Sequence, residues 1–239
     1  MTWPRHLCLT ACLLAGFSAC SIAPPPIPIH DDPALLVTVT YDPRAGAGHS
    51  HPAAISSDIV AAVLRGLQLQ GRDVVGAFGL MGEDRSSPVF IDRNILAGLV
   101  PHLVVGLAKA SPRDLVTFHL VQRDSRYVPL ITSGGMFLRG HHLYVILANG
   151  RTSPSSIQYE TTYEPDTRNS PLVPIARYKF TTEFQPVEAR VATSEAKQKD
   201  GWGGYLDESK VVVVDLDRLA NALLLPSAAN PAMPAHIKP

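Results

Sequence analysis

Four histidines in this chain have the side-chain chemistry to hold a transition metal. His49 and His51 stand one residue apart in Gly48-His49-Ser50-His51-Pro52, and His141 and His142 are neighbours much further on. Zinc or copper takes two to four such donors at about 2 Å. Alternate residues of an extended chain point to opposite sides, so His49 and His51 can share an ion only if their loop bends. His141 and His142 fall at an expected hairpin tip, where solvated polar residues are the ordinary outcome. Two further histidines, His102 and His119, lie within an expected helix and an expected strand, where packing is a commoner role than proton transfer. Adjacent carboxylates occur as Glu83 with Asp84, and Asp215 lies near Asp217. Helix capping accounts for Asp215 or Asp217 as well as catalysis does.

Other chemistry is excluded or weakened by what the motifs lack. Residues 48–52 resemble the G-x-S-x-G nucleophile elbow of the α/β-hydrolase family, but Pro52 occupies the position of the last glycine, and its ring would obstruct the tight strand-to-helix turn. The parallel strand and helix alternation of that family is absent too, so Ser50 reads as a loop serine. No phosphate-binding glycine loop, dinucleotide fingerprint or H-E-x-x-H occurs, and no cofactor is expected. Gly201-Trp202-Gly203-Gly204-Tyr205 offers a glycine-flanked aromatic pair. Trp202 and Tyr205 can stack on a sugar or dock a partner, or Trp202 can plug the core.

The chain has three cysteines, Cys8, Cys12 and Cys20, all near its start. Arg5 is followed by Leu7 to Phe17 without a charge, the length of a secretory signal core and too short for a bilayer-spanning helix, which needs roughly 20 residues. Ser18 and Ala19 then precede Cys20, and this stretch resembles the lipobox of bacterial lipoproteins, with Phe17 where that family prefers an aliphatic residue. The resemblance implies cleavage before Cys20 and a diacylglycerol on its thiol, with acyl groups such as palmitate. Ser21 after the cysteine implies an outer-membrane destination facing the periplasm in a Gram-negative host. A second match, Leu9-Thr10-Ala11-Cys12, leaves only about one turn of apolar chain after Arg5 and ranks lower. The alternative is an ordinary secretory signal with an incidental cysteine. A mature chain starting at Cys20 has no free thiol, which excludes a thiol nucleophile, a redox pair and a cysteine-ligated zinc.

Lys plus Arg and Asp plus Glu are balanced at 21 each. Such a chain has no long-range field to gather nucleic acid, and none is expected as partner. Its 21 prolines mark the irregular parts. Residues 1–19 are read as signal peptide and 20–34 as a proline-rich tether. In polyproline II, rising ~3.1 Å per residue, the ten residues to Pro33 would hold the body about 30 Å from the lipid. Residues 35–225 are read as a single domain and 226–239 as a disordered tail.

The elements expected within that domain are set by periodicity. "LLVTVTY" from Leu35 alternates as a strand, with Leu36, Thr38 and Thr40 on one face. Ile59, Val63 and Leu67 form one face of a helix behind an N-cap at Ser57. "RDVVGAFGLMG" reads ambiguously as a glycine-interrupted strand. Asp92 caps a longer helix whose stripe runs from Ile95 to Leu107, with Pro101 expected to kink or divide it. "SPRD" makes a type I turn into "LVTFHLV", with Val116, Phe118 and Leu120 on one side. Two β-rich runs then meet at Gly140-His141, as a type II′ hairpin would. Pro129 and Gly134-Gly135 suggest an edge position or a bulge in the first run.

Residues 151–174 read as a polar excursion, either a flap or a surface loop. "ARYKFTTEF" returns to strand composition, Glu188 to Lys199 reads as exposed and polar, and "KVVVVDL" and "DRLANALLL" read as a buried strand and a final helix. The fold class is therefore α+β: a mainly antiparallel sheet packed by two to three helices. Every strong signal is architectural, so a noncatalytic role is the stronger expectation. The chain reads as a lipid-anchored envelope protein, tied to the membrane through its N-terminal lipid and serving as scaffold or docking module for another envelope protein. The alternative is a secreted metal-binding protein or hydrolase using the loop histidines.

Overall fold

The computed structural model describes residues 23–71, 85–123, 127–153, 166–175, 180–200 and 208–224. In chain order its elements are β1 (Ile27–Asp31), β2 (Leu35–Tyr41), α1 (Ser57–Gly66), β3 (Leu67–Gly71), β4 (Arg85–Pro88), α2 (Arg93–Lys109) and β5 (Asp114–Arg123). They continue as β6 (Pro129–Arg139), β7 (His142–Thr152), β8 (Thr181–Phe184), β9 (Arg190–Val191), α3 (Thr193–Asp200), β10 (Val211–Asp215) and α4 (Leu216–Leu224). The α+β class holds: a seven-stranded antiparallel sheet in the order β1-β2-β5-β6-β7-β10-β9 dominates, beside a three-stranded one in the order β4-β3-β8.

One face of the large sheet is the apolar bed for α1 and α2. Val37, Val39, Val116, Phe118, Met136 and Val145 point into a cluster completed by Val60, Val63 and Leu64 of α1 and by Leu99, Leu103 and Leu107 of α2. Ser56, one residue before the expected cap, is the N-cap of α1, its hydroxyl accepting from the Ile59 amide at 3.3 Å. Asp92 caps α2 as expected, accepting from the Asn94 amide at 2.8 Å. Pro101 does not divide that helix, which runs unbroken from Arg93 to Lys109. The proline removes one backbone bond and costs roughly 3 kcal/mol. Leu96, Leu99 and Val100 before it and Leu103 and Leu107 after it are all buried against one bed. Burial of roughly 1.5–3 kcal/mol for each such side chain offsets the loss and keeps both halves in register.

The β6–β7 hairpin forms as read, with Arg139 opposite His142 and Gly140 at a φ of 57° first in the two-residue loop. The register of β6 on β7 shifts around Ser133, a bulge at the expected place. Gly134 is demanded by close approach, since a Cβ there would lie 2.0 Å from the Ile146 carbonyl oxygen. The strand as a whole is interior, with β5 and β7 on its two sides, so Pro129 marks its first residue rather than a sheet edge.

Three expectations need correction. The tether does not extend to residue 34, because Ile27–Asp31 pair antiparallel with β2 and add a strand to the sheet. Pro28 is tolerated there because β1 is an edge strand, and the register slips between Pro28 and His30. Residues 188–199 are not simply exposed: they contain β9 and most of α3, and Ala189, Val191 and Ala196 are buried. Four helices are described where two to three were expected. The run 72–84, with Glu83 and Asp84, lies outside the described residues, as do Tyr178 and Lys179 of the expected strand before β8.

Candidate functional site

The loop after β2 carries a buried polar cluster. Asp42, the residue after the strand, accepts from the Arg44 amide at 2.8 Å and meets His49 Nε2 at 2.7 Å, with the two side chains only 1% and 0% exposed. Arg139, from the end of β6, donates its Nε–H to His49 Nδ1 at 3.4 Å and its Nη2–H to the Ala45 carbonyl at 2.6 Å. Because His49 Nδ1 accepts from Arg139, the proton of the neutral imidazole sits on Nε2 and is donated to Asp42. The ring also stacks on Phe137 at 4.1 Å, and Phe137 on Tyr144 at 4.7 Å. A carboxylate behind an imidazole is the arrangement that orients a general base, but here the second nitrogen is engaged and the pair is sealed from solvent. The cluster ties the 42–53 loop to the sheet.

His51 packs edge-on to His49 at 5.9 Å between ring centres. Neither of its ring nitrogens has a hydrogen-bond partner among the described residues. Burial first, and the neighbouring His49 second, push its pKa down to about 4, with the Leu107 carbonyl and Asp114 pulling weakly the other way. It is held neutral. Ser50, between the two, accepts from the Gly140 amide at 2.8 Å while its own amide donates to Leu138. That contact ties the serine to the hairpin rather than to an imidazole.

The same contact brings the two histidine loops side by side, yet the four imidazoles do not converge. His49 and His51 face inward, His142 is buried at the start of β7, and His141 points to solvent with its Nδ1 3.3 Å from Asp217. Among the described residues no group of three or more His, Cys, Asp or Glu side chains is placed to hold a metal ion. The metal site considered for His49, His51, His141 and His142 therefore does not form, because two of its donors serve the core and one serves α4. Asp215 is the helix cap, accepting from the amides of Asp217 and Arg218 at 3.0 Å each.

The second candidate lies on the face of the large sheet away from α1 and α2. Residues 166–175 cross this face as an irregular strap. His119 Nε2 lies 3.1 Å from Thr167 Oγ1, Ser133 Oγ donates to the Pro171 carbonyl at 2.7 Å, and Asn149 both donates to the Val173 carbonyl at 3.0 Å and accepts from the Ile175 amide at 2.8 Å. Arg168 reaches the Asp31 carboxylate and the Asp32 carbonyl beside β1. Burial, then the Arg168 charge, lower the His119 pKa to about 4, with Asp166 pulling upward. Beneath the strap is a groove of about 170 Å³. Its floor is Leu36, Thr38, Thr40 and Thr117, and Pro26 and Leu172 stand in its walls. The strap belongs to the 151–174 excursion, of which residues 166–174 are hydrogen-bonded across the sheet and residues 154–165 lie outside the described residues.

A third contact joins the edge strand to the helix layer: the rings of His30 and His102 stack at 4.0 Å, and His30 Nε2 meets Asp32 at 2.6 Å. Burial, followed by the nearby His30, lowers the His102 pKa. Sequence reasoning missed Asp42, Arg139, Asn149 and the strap contacts. The one available signal was the threonine face of "LLVTVTY", which is the groove floor. Cys20, Trp202 and Tyr205 lie outside the described residues. No family model, no curated protein and no solved structure matches this chain.

Proposed function

We propose that this chain is a lipid-anchored protein of the cell envelope, acylated on Cys20 and acting as a noncatalytic scaffold or docking module for another envelope protein. In a Gram-negative host it sits on the outer membrane facing the periplasm. The observation that carries the reading is the succession of an uncharged run to Phe17, small residues at Ser18 and Ala19, then Cys20, followed by a sheet that begins at Ile27. The body therefore rides close to the lipid, on a shorter arm than the proline content suggests. Among the described residues no helix is long and apolar enough to cross a membrane, so the lipid supplies the attachment in this reading.

The noncatalytic part is supported by the sealing of His49 and Asp42 and by the engagement of Ser50 with the hairpin. The docking part is supported by an apolar patch at α4, which packs against the turn Val187–Ala189 and leaves Val187, Leu223 and Leu224 at 66%, 53% and 81% exposure. Clustered large apolar side chains at a surface mark an interaction site more often than isolated ones do.

Mass analysis of the mature N-terminal peptide tests the anchor. A diacylglycerol-bearing Cys20 is expected, together with transfer of Cys20→Ser to the soluble fraction; an unmodified cysteine in the intact chain overturns it. Crosslinking in intact cells should give a discrete adduct that Leu224→Glu abolishes, whereas monomer alone refutes docking.

A further inference from the structure

We propose that the groove beneath residues 166–175 receives this chain's own lipid-bearing N-terminus, holding the first part of one acyl chain carried on Cys20. The inference rests on the lipid-anchor reading above and adds to it a second place for the lipid. Pro26 is itself part of the groove wall, and the register of β1 sets Ile27 opposite Val39, so the chain arrives at the Thr40 end of the floor. Cys20 is six positions before Pro26. An extended segment of that length spans at most ~20 Å, which keeps the lipid within reach of the groove mouth.

The chemistry of the groove selects an apolar occupant. Thr38 and Thr117 hydroxyls meet at 2.6 Å, Thr38 and Thr40 at 3.1 Å, and Thr40 and Thr117 at 3.3 Å. The floor satisfies itself and demands no donor or acceptor from a guest. Arg168, the charged residue of the lining, is engaged by Asp31 and the Asp32 carbonyl. Pro26, Leu36, Pro171 and Leu172 supply carbon surface on several sides. Asn169 in the wall is paired with Asp166, which leaves the Ser170 hydroxyl at the exposed rim, so a phosphate or a sugar would recover few of the hydrogen bonds it makes to water, whereas a methylene chain loses none. The volume of about 170 Å³ suits the start of one chain and not a whole lipid. The remaining acyl groups stay available to the bilayer, so groove and membrane compete for one chain, and the balance sets how firmly the protein is held.

Cells fed a diazirine-bearing palmitate analogue would supply the labelled full-length protein. After irradiation in vesicles of phosphatidylethanolamine and phosphatidylglycerol, cross-linked peptides are mapped by mass spectrometry. The expected label falls on peptides containing residues 36–40 and 168–173, and drops several-fold in Thr40→Trp, which fills the groove mouth from a half-buried position. Label confined to bilayer lipid or to residues 21–26, with Cys20 acylated, overturns the inference and leaves the anchor standing. Absence of the analogue from Cys20 defeats both. Should Thr40→Trp fail to fold, Ser170→Trp, at an exposed wall position, serves as the plug with the same expected loss.

Discussion

The two faces of the seven-stranded sheet are covered by different kinds of structure, and the beds beneath them differ accordingly. Under α1 and α2 the sheet offers carbon: Val37, Val39, Val116, Phe118 and Val145 are at most 3% exposed. Under residues 166–175 it offers Thr38, Thr117, His119, Ser133 and Asn149, which are also buried but polar. A helix arrives with its backbone groups already paired, so the bed beneath it need only exclude water. An irregular segment arrives with unpaired amides and carbonyls, and the strands under it must supply partners. Ser133 and Asn149 do so for Pro171, Val173 and Ile175. The polar patch is the requirement of the irregular cover above it. Elsewhere on this face Leu115, Phe137, Tyr144, Ile146, Val211 and Val213 form an apolar cluster on which Leu172 of the strap packs.

The comparison is broken or upheld most directly by neighbouring residues of β5 that point to opposite faces. Phe118 is fully buried on the helix side, and Phe118→Ala should cost ~3–5 kcal/mol through lost transfer energy and the cavity left behind. Thr117 is 1% exposed on the strap side; Thr117→Val keeps the shape, removes the hydroxyl pairing with Thr38, and should cost about 1 kcal/mol. Urea unfolding of both variants measures the ratio. Equal losses would mean that the two faces contribute to stability in the same way, against the distinction drawn here.

Legibility in the sequence divides along the same line. The helix face was readable because burial imposes a period: "LLVTVTY", "LVTFHLV" and the stripe from Ile95 to Leu107 each announce their elements, and Gly140 announces its turn. The strap face was not readable, because its contacts join residues such as His119 and Thr167, or Asp31 and Arg168, that no local pattern relates. Asp42 and His49 pair within one loop, but the partner that fixes the imidazole, Arg139, comes from the far end of β6. Proline content misled at β1, since an edge strand tolerates what an interior strand does not. The polar composition of 188–199 likewise concealed Val191, which adds β9 to the large sheet, and Ala196 of α3, both buried in the apolar cluster on the strap face.

Acid should weaken the fold through both faces. His51, beside Leu107 of α2, and His119, under the strap, are held neutral in the fold with pKa values near about 4, against an unfolded value of about 6.5. Between those values the unfolded chain binds more protons than the native one, so stability is full above about pH 7, declines as pH falls through 6.5, and levels off below 4. Each histidine accounts for up to about 3 kcal/mol of that decline. Denaturant unfolding at pH 7.5 and pH 5 reads it. His119→Asn should remove part of the slope and leave the His51 part. An unchanged slope would place the acid sensitivity elsewhere.

The smallest effect sharpens the comparison within the strap itself. Asn149 is buried and serves two backbone groups of the strap, so Asn149→Ala leaves those groups unpaired and should cost ~1–3 kcal/mol. Arg168 and Asp31 are 33% and 61% exposed in their side chains, and water screens the pair. Arg168→Ala should therefore shift global stability by less than about 1 kcal/mol, and added salt should mimic much of the change. Local opening is a different quantity from global unfolding. Releasing Arg168 frees the strap from β1 while Asn149 still holds its other end, so amide exchange should quicken around residues 166–170 and stay slow at Ile175. Faster exchange along the whole strap in Arg168→Ala would mean that the ion pair, not the buried amide, is what keeps this face covered.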